Sequence, residues 1–174
     1  MRSKIHLDQL SHTGAAQLAA RLGCTSVDHL NYTPLEDMQM MAAAGVVAVA
    51  MPGIDFATAH HPPVDCRRIL ESGMPLALAT DICPGGWIPS MQFIIALACR
   101  LHGLSPAEAI RAATYGAAQA LARADQIGSL EVGKHADLLV LDVPRHEDLA
   151  YRIGRNAVQT VIVGGRVVVE RSEA

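Results

Sequence analysis

No stretch of this 174-residue chain is strongly basic, and the formal charge is only −3 with a pI near 6.2. A protein that grips nucleic acid or an anionic lipid surface needs a basic patch, and none is written here. Apolar runs stop short of the roughly 18 residues that a membrane span requires. Met1-Arg2-Ser3-Lys4 leads straight into Ile5-His6-Leu7, with neither the apolar core nor the small-residue cleavage site of a secretory signal. Cys24, Cys66, Cys83 and Cys99 form no CxxC pair, so they read as reduced thiols and not as a disulfide frame. Low-complexity segments and long linkers are also missing. These absences favour a cytoplasmic protein acting on a small-molecule substrate, with no nucleic-acid and no membrane partner. What the chain does have is 51% apolar residues, enough for a sizeable core.

Short apolar runs alternate with helical patterns. Ser3 to Leu7 reads as a strand. The helix after it carries Ala15, Ala16, Leu18, Ala19 and Leu22 on one face and stops at Gly23. Cys24 to Leu30 is strand-like again. Thr33-Pro34-Leu35-Glu36 has the form of a capping box, opening a helix that packs Met38 and Met41 and ends at Gly45. Val46 to Gly53 reads as a third strand, 62–73 as a short helix and Pro75 to Asp81 as a fourth strand. A helix over 90–103 follows, and Ser105-Pro106-Ala107-Glu108 is a second capping box. Strands this uniformly apolar are buried on both faces, which predicts an α/β fold with a parallel sheet covered by helices. Two architectures remain open, a doubly wound sheet or part of a (β/α)8 barrel. After residue 125 the helical period ends. Val161 to Val169 predicts a hairpin turning on Gly164-Gly165. The expected division is therefore an α/β body over 1–125 and a β-rich segment over 126–174.

Each predicted strand ends in something polar or permissive. The first gives His6, Asp8 and Gln9, the second Asp28 and His29, the third Pro52-Gly53 and the fourth Asp81. Parallel α/β folds bring the C-terminal ends of their strands to one edge and build sites there. Two histidines and an aspartate from three strands suit zinc or ferrous iron, and a carboxylate beside the ion can carry a proton. Plainer readings stand beside this one. A strand histidine is more often a hydrogen-bonded core residue, and a strand-end carboxylate often caps the next loop. His60-His61-Pro62-Pro63 reads as a solvated loop, the Met38, Met40, Met41 cluster as helix packing, and Cys83 as an unpaired thiol.

The stretches Lys4 to Thr33, Val47 to Gly53 and Leu76 to Leu101 together resemble the imidazolonepropionases of the amidohydrolase superfamily, and Ile127 to Val143 resembles the tail shared by many amidohydrolases. The resemblance implies the C-terminal half of a (β/α)8 TIM-type barrel, about four βα units, plus a β segment that returns to a small composite β-sandwich. It makes His6 a metal ligand, Asp81 both metal ligand and proton shuttle, and His29 a catalytic and substrate-binding group. Gln9 would contact the substrate, and Cys83, Gly85 and Gly86 would form the substrate loop. One divalent ion, zinc or iron(II), is implied, as is a homodimer when the protein is complete. The implied reaction is hydrolytic opening of 4-imidazolone-5-propanoate to N-formimidoyl-L-glutamate in histidine degradation. The sequence departs from the pattern in two ways. Cys83 and Gly86 stand where stronger hydrogen-bonding side chains are expected, which leaves open another cyclic amide or amidine as substrate. No His-x-His pair occurs, so the N-terminal half of the barrel is needed to complete the site, and a non-catalytic half-barrel or association module is the third reading.

Overall fold

The computed structural model describes residues 2–171. Strands β1 (Lys4–Leu7), β2 (Ser26–His29), β3 (Val47–Ala50) and β4 (Leu76–Leu78) form one sheet in that order, each neighbouring pair parallel. Parallel neighbours need a crossover between them, and with strands in sequence order the crossovers stack on one face. Helices α1 (Ala15–Leu22), α2 (Leu35–Ala43), α4 (Cys66–Glu71), α5 (Met91–Leu101) and α6 (Pro106–Arg111) supply that layer. Leu7, Val27, Ala48, Ala50, Leu76 and Leu78 from the strands meet Met38, Met41, Ile69 and Ile94 from the helices in one buried cluster. This winding is the one a (β/α)8 barrel repeats, whereas a doubly wound sheet reverses direction and carries helices on both faces.

The opposite face of the sheet is covered differently. Val47, Val49 and Ala77 pack with Met51 and Ala79 against Ala120 of α7 (Ala117–Ala120), which closes the N-terminal end of the strands. Between α6 and α7 the chain takes a π-helical turn over Ala112–Gly116. Beyond it β5 (Leu138–Leu141), β6 (Val158–Val163) and β7 (Arg166–Glu170) form an antiparallel sheet in that order. The β6–β7 turn falls on Gly164 and Gly165, with φ of 55° and 78°, the left-handed pair that a two-residue hairpin of this hand requires. A short helix α8 (Asp148–Tyr151) sits between β5 and β6 and is tied to α5 by the Arg100 Nε–H donating to the Ala150 carbonyl at 3.1 Å. Among the described residues, no helix is long and apolar enough to cross a membrane.

Several local expectations hold. Ser105 and Glu108 form a reciprocal capping box on α6, and Ser90 caps α5 by accepting from the Phe93 N–H. Met38 and Met41 are core packing. Other expectations need correction. Leu18 and Leu22 are 49% and 60% exposed, because α1 is the first helix of the layer and has a helical neighbour, α2, on one side only. Thr33 does not cap α2: Pro34 occupies the cap position with no side-chain bond, and the Thr33 hydroxyl instead donates to Asp8. The expected third strand stops at Ala50, and Pro52 opens a helix α3 (Pro52–Thr58) in its place. Proline at a first helical position was the available signal.

The end of the π-helical turn approaches β4 so closely that no side chain fits at Gly116. A β-carbon built on Gly116 would stand 2.0 Å from the carbonyl oxygen of Leu76. Backbone cannot swing aside as a side chain can, so Gly116→Ala is expected to lower stability by about 2–3 kcal/mol. Urea denaturation reads this as a lower midpoint, and an unchanged midpoint contradicts it.

Candidate metal centre

The expected fourth strand ends at Leu78, so His6 and His29 come from the ends of β1 and β2 and Asp81 from the loop after β4, and the three meet at one edge of the parallel sheet. The imidazole rings of His6 and His29 lie 4.3 Å apart, centre to centre, and tilted by 49°. His29 Nε2 stands 3.9 Å from Asp81 Oδ2, too far for a direct hydrogen bond. Register explains part of this. His6 pairs with Asp28 and Leu7 with His29, and side chains alternate along a strand. Simple alternation would send the His29 ring with Leu7 into the helix layer. Backbone φ of 81° at His29 and 65° at Leu30 breaks the alternation, so the ring lies against His6 instead. Asp81 also has left-handed φ, 48°. Left-handed geometry is uncommon in non-glycine residues and marks positions held by their surroundings.

The three groups differ in exposure. The His29 side chain is 4% exposed and that of Asp81 29%, while His6 lies open at the strand end. Burial, and then the neighbouring His6 ring, lowers the pKa of His29, while Asp81, Asp28 and Asp55 oppose the shift. A neutral imidazole at pH 7 follows, able to donate one hydrogen bond and accept another. His6 and Asp81 offer nitrogen and oxygen donors of the kind zinc and ferrous iron accept. Their number is short: among the described residues no group of three or more histidines, cysteines or carboxylates is gathered closely enough to hold an ion.

The remaining candidate residues lie nearby in the chain. Gln9 is half-buried in the loop after β1. Cys83 and Gly86 close a tight turn beyond Asp81 through reciprocal backbone bonds of 3.2 and 3.0 Å. A β-carbon on Gly86 would stand 2.9 Å from Ile54 Cδ1, so packing against α3 accounts for glycine there. Cys24 and Cys66 are buried and all four cysteines are free, as a reduced-thiol reading expects. Burial pushes the Cys66 thiol up to about 12, which removes it from thiolate chemistry.

Two buried carboxylates, Asp8 at the first strand end and Asp55, have roles that the sequence did not assign. Asp8, 3% exposed, accepts from the Thr13 N–H at 2.8 Å and hydroxyl at 2.7 Å, and from the Thr33 hydroxyl at 2.9 Å. Asp55, 5% exposed, accepts from the Asn31 amide at 3.0 Å and the Val64 N–H at 2.8 Å. Neither has a local motif, because the bonds to Thr33 and to Asn31 reach loops 25 and 24 residues away. His60 also belongs to the loop packed on Asn31, its Nδ1 lying 3.0 Å from the Pro62 carbonyl.

Residues 4–168 match the sequence profile of the Amidohydrolase family. The chain belongs to the amidohydrolase family. It is 44% identical over 167 residues to the imidazolonepropionase of Geobacillus kaustophilus, covering 95% of this chain and 39% of that protein. To the imidazolonepropionase of Shouchella clausii it is 42% identical over 171 residues, covering 98% and 38%. Among solved structures, an adenosine deaminase from Xanthomonas campestris with bound zinc superposes with a TM-score of 0.86 at 25% identity, over 98% of this chain and 46% of that one. The chain thus spans about two fifths of the length of the curated family members it matches.

The depressed pKa of His29 has a measurable consequence. As pH falls, the unfolded chain binds a proton here before the folded chain does. The stabilisation is therefore complete above pH 6.5 and is lost as pH falls through the lower folded value. Imidazole NMR of the metal-free chain should place the His29 midpoint below 6.5, and His29→Gln should flatten the stability loss on acidification. A midpoint at or above 6.5 contradicts the burial argument.

Proposed function

We propose that this chain is the C-terminal part of an imidazolonepropionase, a hydrolase that opens 4-imidazolone-5-propanoate to N-formimidoyl-L-glutamate. The observation that carries the reading is the meeting of His6, His29 and Asp81 at the strand ends of a sequentially wound parallel sheet, in a chain 44% identical to an imidazolonepropionase. Residues 1–125 would be strands five to eight of the barrel with their helices. Residues 126–174 would belong to the small sandwich domain, in a cytoplasmic protein that is a homodimer when complete.

His6 and Asp81 would hold one divalent ion, zinc or iron(II), with further ligands from the N-terminal half. Such an ion supplies Lewis acidity, which polarises a carbonyl and makes water a better nucleophile at neutral pH. Asp81, half-exposed at the mouth, takes a proton from the attacking water and passes it to the leaving ring nitrogen. His29, kept neutral by burial, donates a hydrogen bond to the carbonyl oxygen as negative charge develops there. Gln9 and the turn from Cys83 through Gly85 to Gly86 would contact the substrate. A cysteine is only a weak donor, so a different cyclic amide or amidine is the second reading. The shortfall of ion-holding groups among the described residues favours the third, a non-catalytic half-barrel that serves association only.

Complementation tests these readings. The chain, co-expressed with the N-terminal part of the Geobacillus kaustophilus enzyme, should hydrolyse imidazolonepropionate faster than a panel of cyclic ureides. Asp81→Asn should cost about 10²–10⁴-fold in kcat, the range of a lost acid–base group. Full activity in that variant removes Asp81 from the mechanism, and no turnover with any substrate supports the association module.

A further inference from the structure

His29 reaches the mouth only because its backbone, and that of Leu30, are left-handed, with φ of 81° and 65°. Neither residue is glycine, so the conformation costs energy that contacts elsewhere must offset. Within the loop from His29 to Thr33 the Leu30 side chain is anchored in the core at 1% exposure, whereas Asn31 and Tyr32 bond polar partners. The loop's backbone is gripped by a ladder of hydrogen bonds from the β1 side. The Leu30 N–H donates to the Leu7 carbonyl at 3.0 Å and the Tyr32 N–H to the Asp8 carbonyl at 3.0 Å. The Thr33 hydroxyl then donates to Asp8 Oδ2 at 2.9 Å, while Asp8 Oδ1 is held by the Thr13 N–H and hydroxyl. Asp8 is itself left-handed, with φ of 52°, and is 3% exposed. Its carboxylate accepts three hydrogen bonds, two from Thr13 and one from Thr33, and is committed to holding these two loops.

We infer that Asp8 is a positioning residue: its carboxylate latches the loop after β1 to the loop after β2 and thereby holds the His29 ring against His6. The inference deepens the proposed function and rests on its reading of His29 as the group that meets the substrate carbonyl. Three observations converge on it. Thr33 gives up the helix-capping role that its sequence position offers and bonds Asp8 instead. Asp8 lies in the chain between His6 and Gln9, so the same latch fixes both neighbours. On the far side of the loop Asp55 repeats the device, accepting from the Asn31 amide and tying it to α3. Loss of the Asp8 latch frees one flank of the loop, and His29 and Leu30 relax toward right-handed backbone.

The test is ring proximity in the 174-residue chain itself. Rings 4.3 Å apart give strong nuclear Overhauser cross-peaks between the His6 and His29 imidazole protons. Asp8→Ala should weaken them several-fold while the amide signals of Val47–Ala50 stay in place. Asp8→Asn should retain them, because its oxygen still accepts from Thr13 and its amide can donate to the Thr33 oxygen. Asp137→Ala removes a carboxylate that accepts from the Gly164 N–H in the antiparallel sheet, a comparable bond outside the parallel sheet and its loops, and should leave the cross-peaks unchanged. Full-strength cross-peaks in Asp8→Ala, or equal loss in Asp137→Ala, overturn the inference. If Asp8→Ala also loses the strand signals, Thr33→Val is read the same way, and unchanged cross-peaks there overturn it. The readout needs no substrate, so failure of the hydrolase reading, seen as absent turnover on complementation, leaves these cross-peaks unaltered.

Discussion

Parallel pairing in sequence order is the constraint on which everything else in this molecule rests. Two parallel neighbours cannot be joined by a hairpin, so each strand must be followed by a crossover that brings the chain back. The crossovers stack as helices on one face, and their apolar stripes bury Leu7, Val27, Ala48 and Leu76 together. All four strands then run the same way and finish at the same edge. His6, His29 and Asp81, from β1, β2 and the loop after β4, are neighbours for that reason, although 75 positions separate the first from the last in the chain.

The same winding leaves β1 and β4 at the edges of the sheet. Unpaired edges on a sheet this apolar are a template for further strands. That agrees with a chain spanning about two fifths of its relatives' length and with ligands too few to hold an ion unaided. The sheet face opposite the helix layer carries a related sign. Ser26 Oγ and Asp28 Oδ1 are buried without a hydrogen-bond partner, and Lys4 Nζ stands 3.9 Å from Asp28. Polar atoms facing inward are costly unless something meets them.

Much of the scaffold was legible because its signals are local. The Ser105–Glu108 box, the Gly164–Gly165 hairpin and the apolar strands each depend on residues close in the chain. Thr33 shows where local reading fails: the same box pattern gave no cap, because the helix starts one residue later, with Pro34 in the cap position, and the Thr33 hydroxyl is turned to a buried acid in another loop. Leu18 and Leu22 fit a helical stripe but lie on the flank of α1 without a neighbour. Glycine at 116, which ends the π-helical turn, answers to the Leu76 carbonyl, which no periodicity foretells. At the site, parallel topology predicted that His6, His29 and Asp81 would meet. The left-handed backbone that aims His29, and the carboxylates of Asp8 and Asp55 that grip its loop, are tertiary and carry no sequence motif.

The central claim is that His6 and Asp81 are this chain's two donors to a shared ion at the strand ends. X-ray absorption at the zinc edge, on the chain assembled with an N-terminal imidazolonepropionase half, tests it most directly. The account predicts a nitrogen and oxygen shell that loses a nitrogen scatterer in His6→Ala and an oxygen scatterer in Asp81→Ala. A shell unchanged by both substitutions would contradict it.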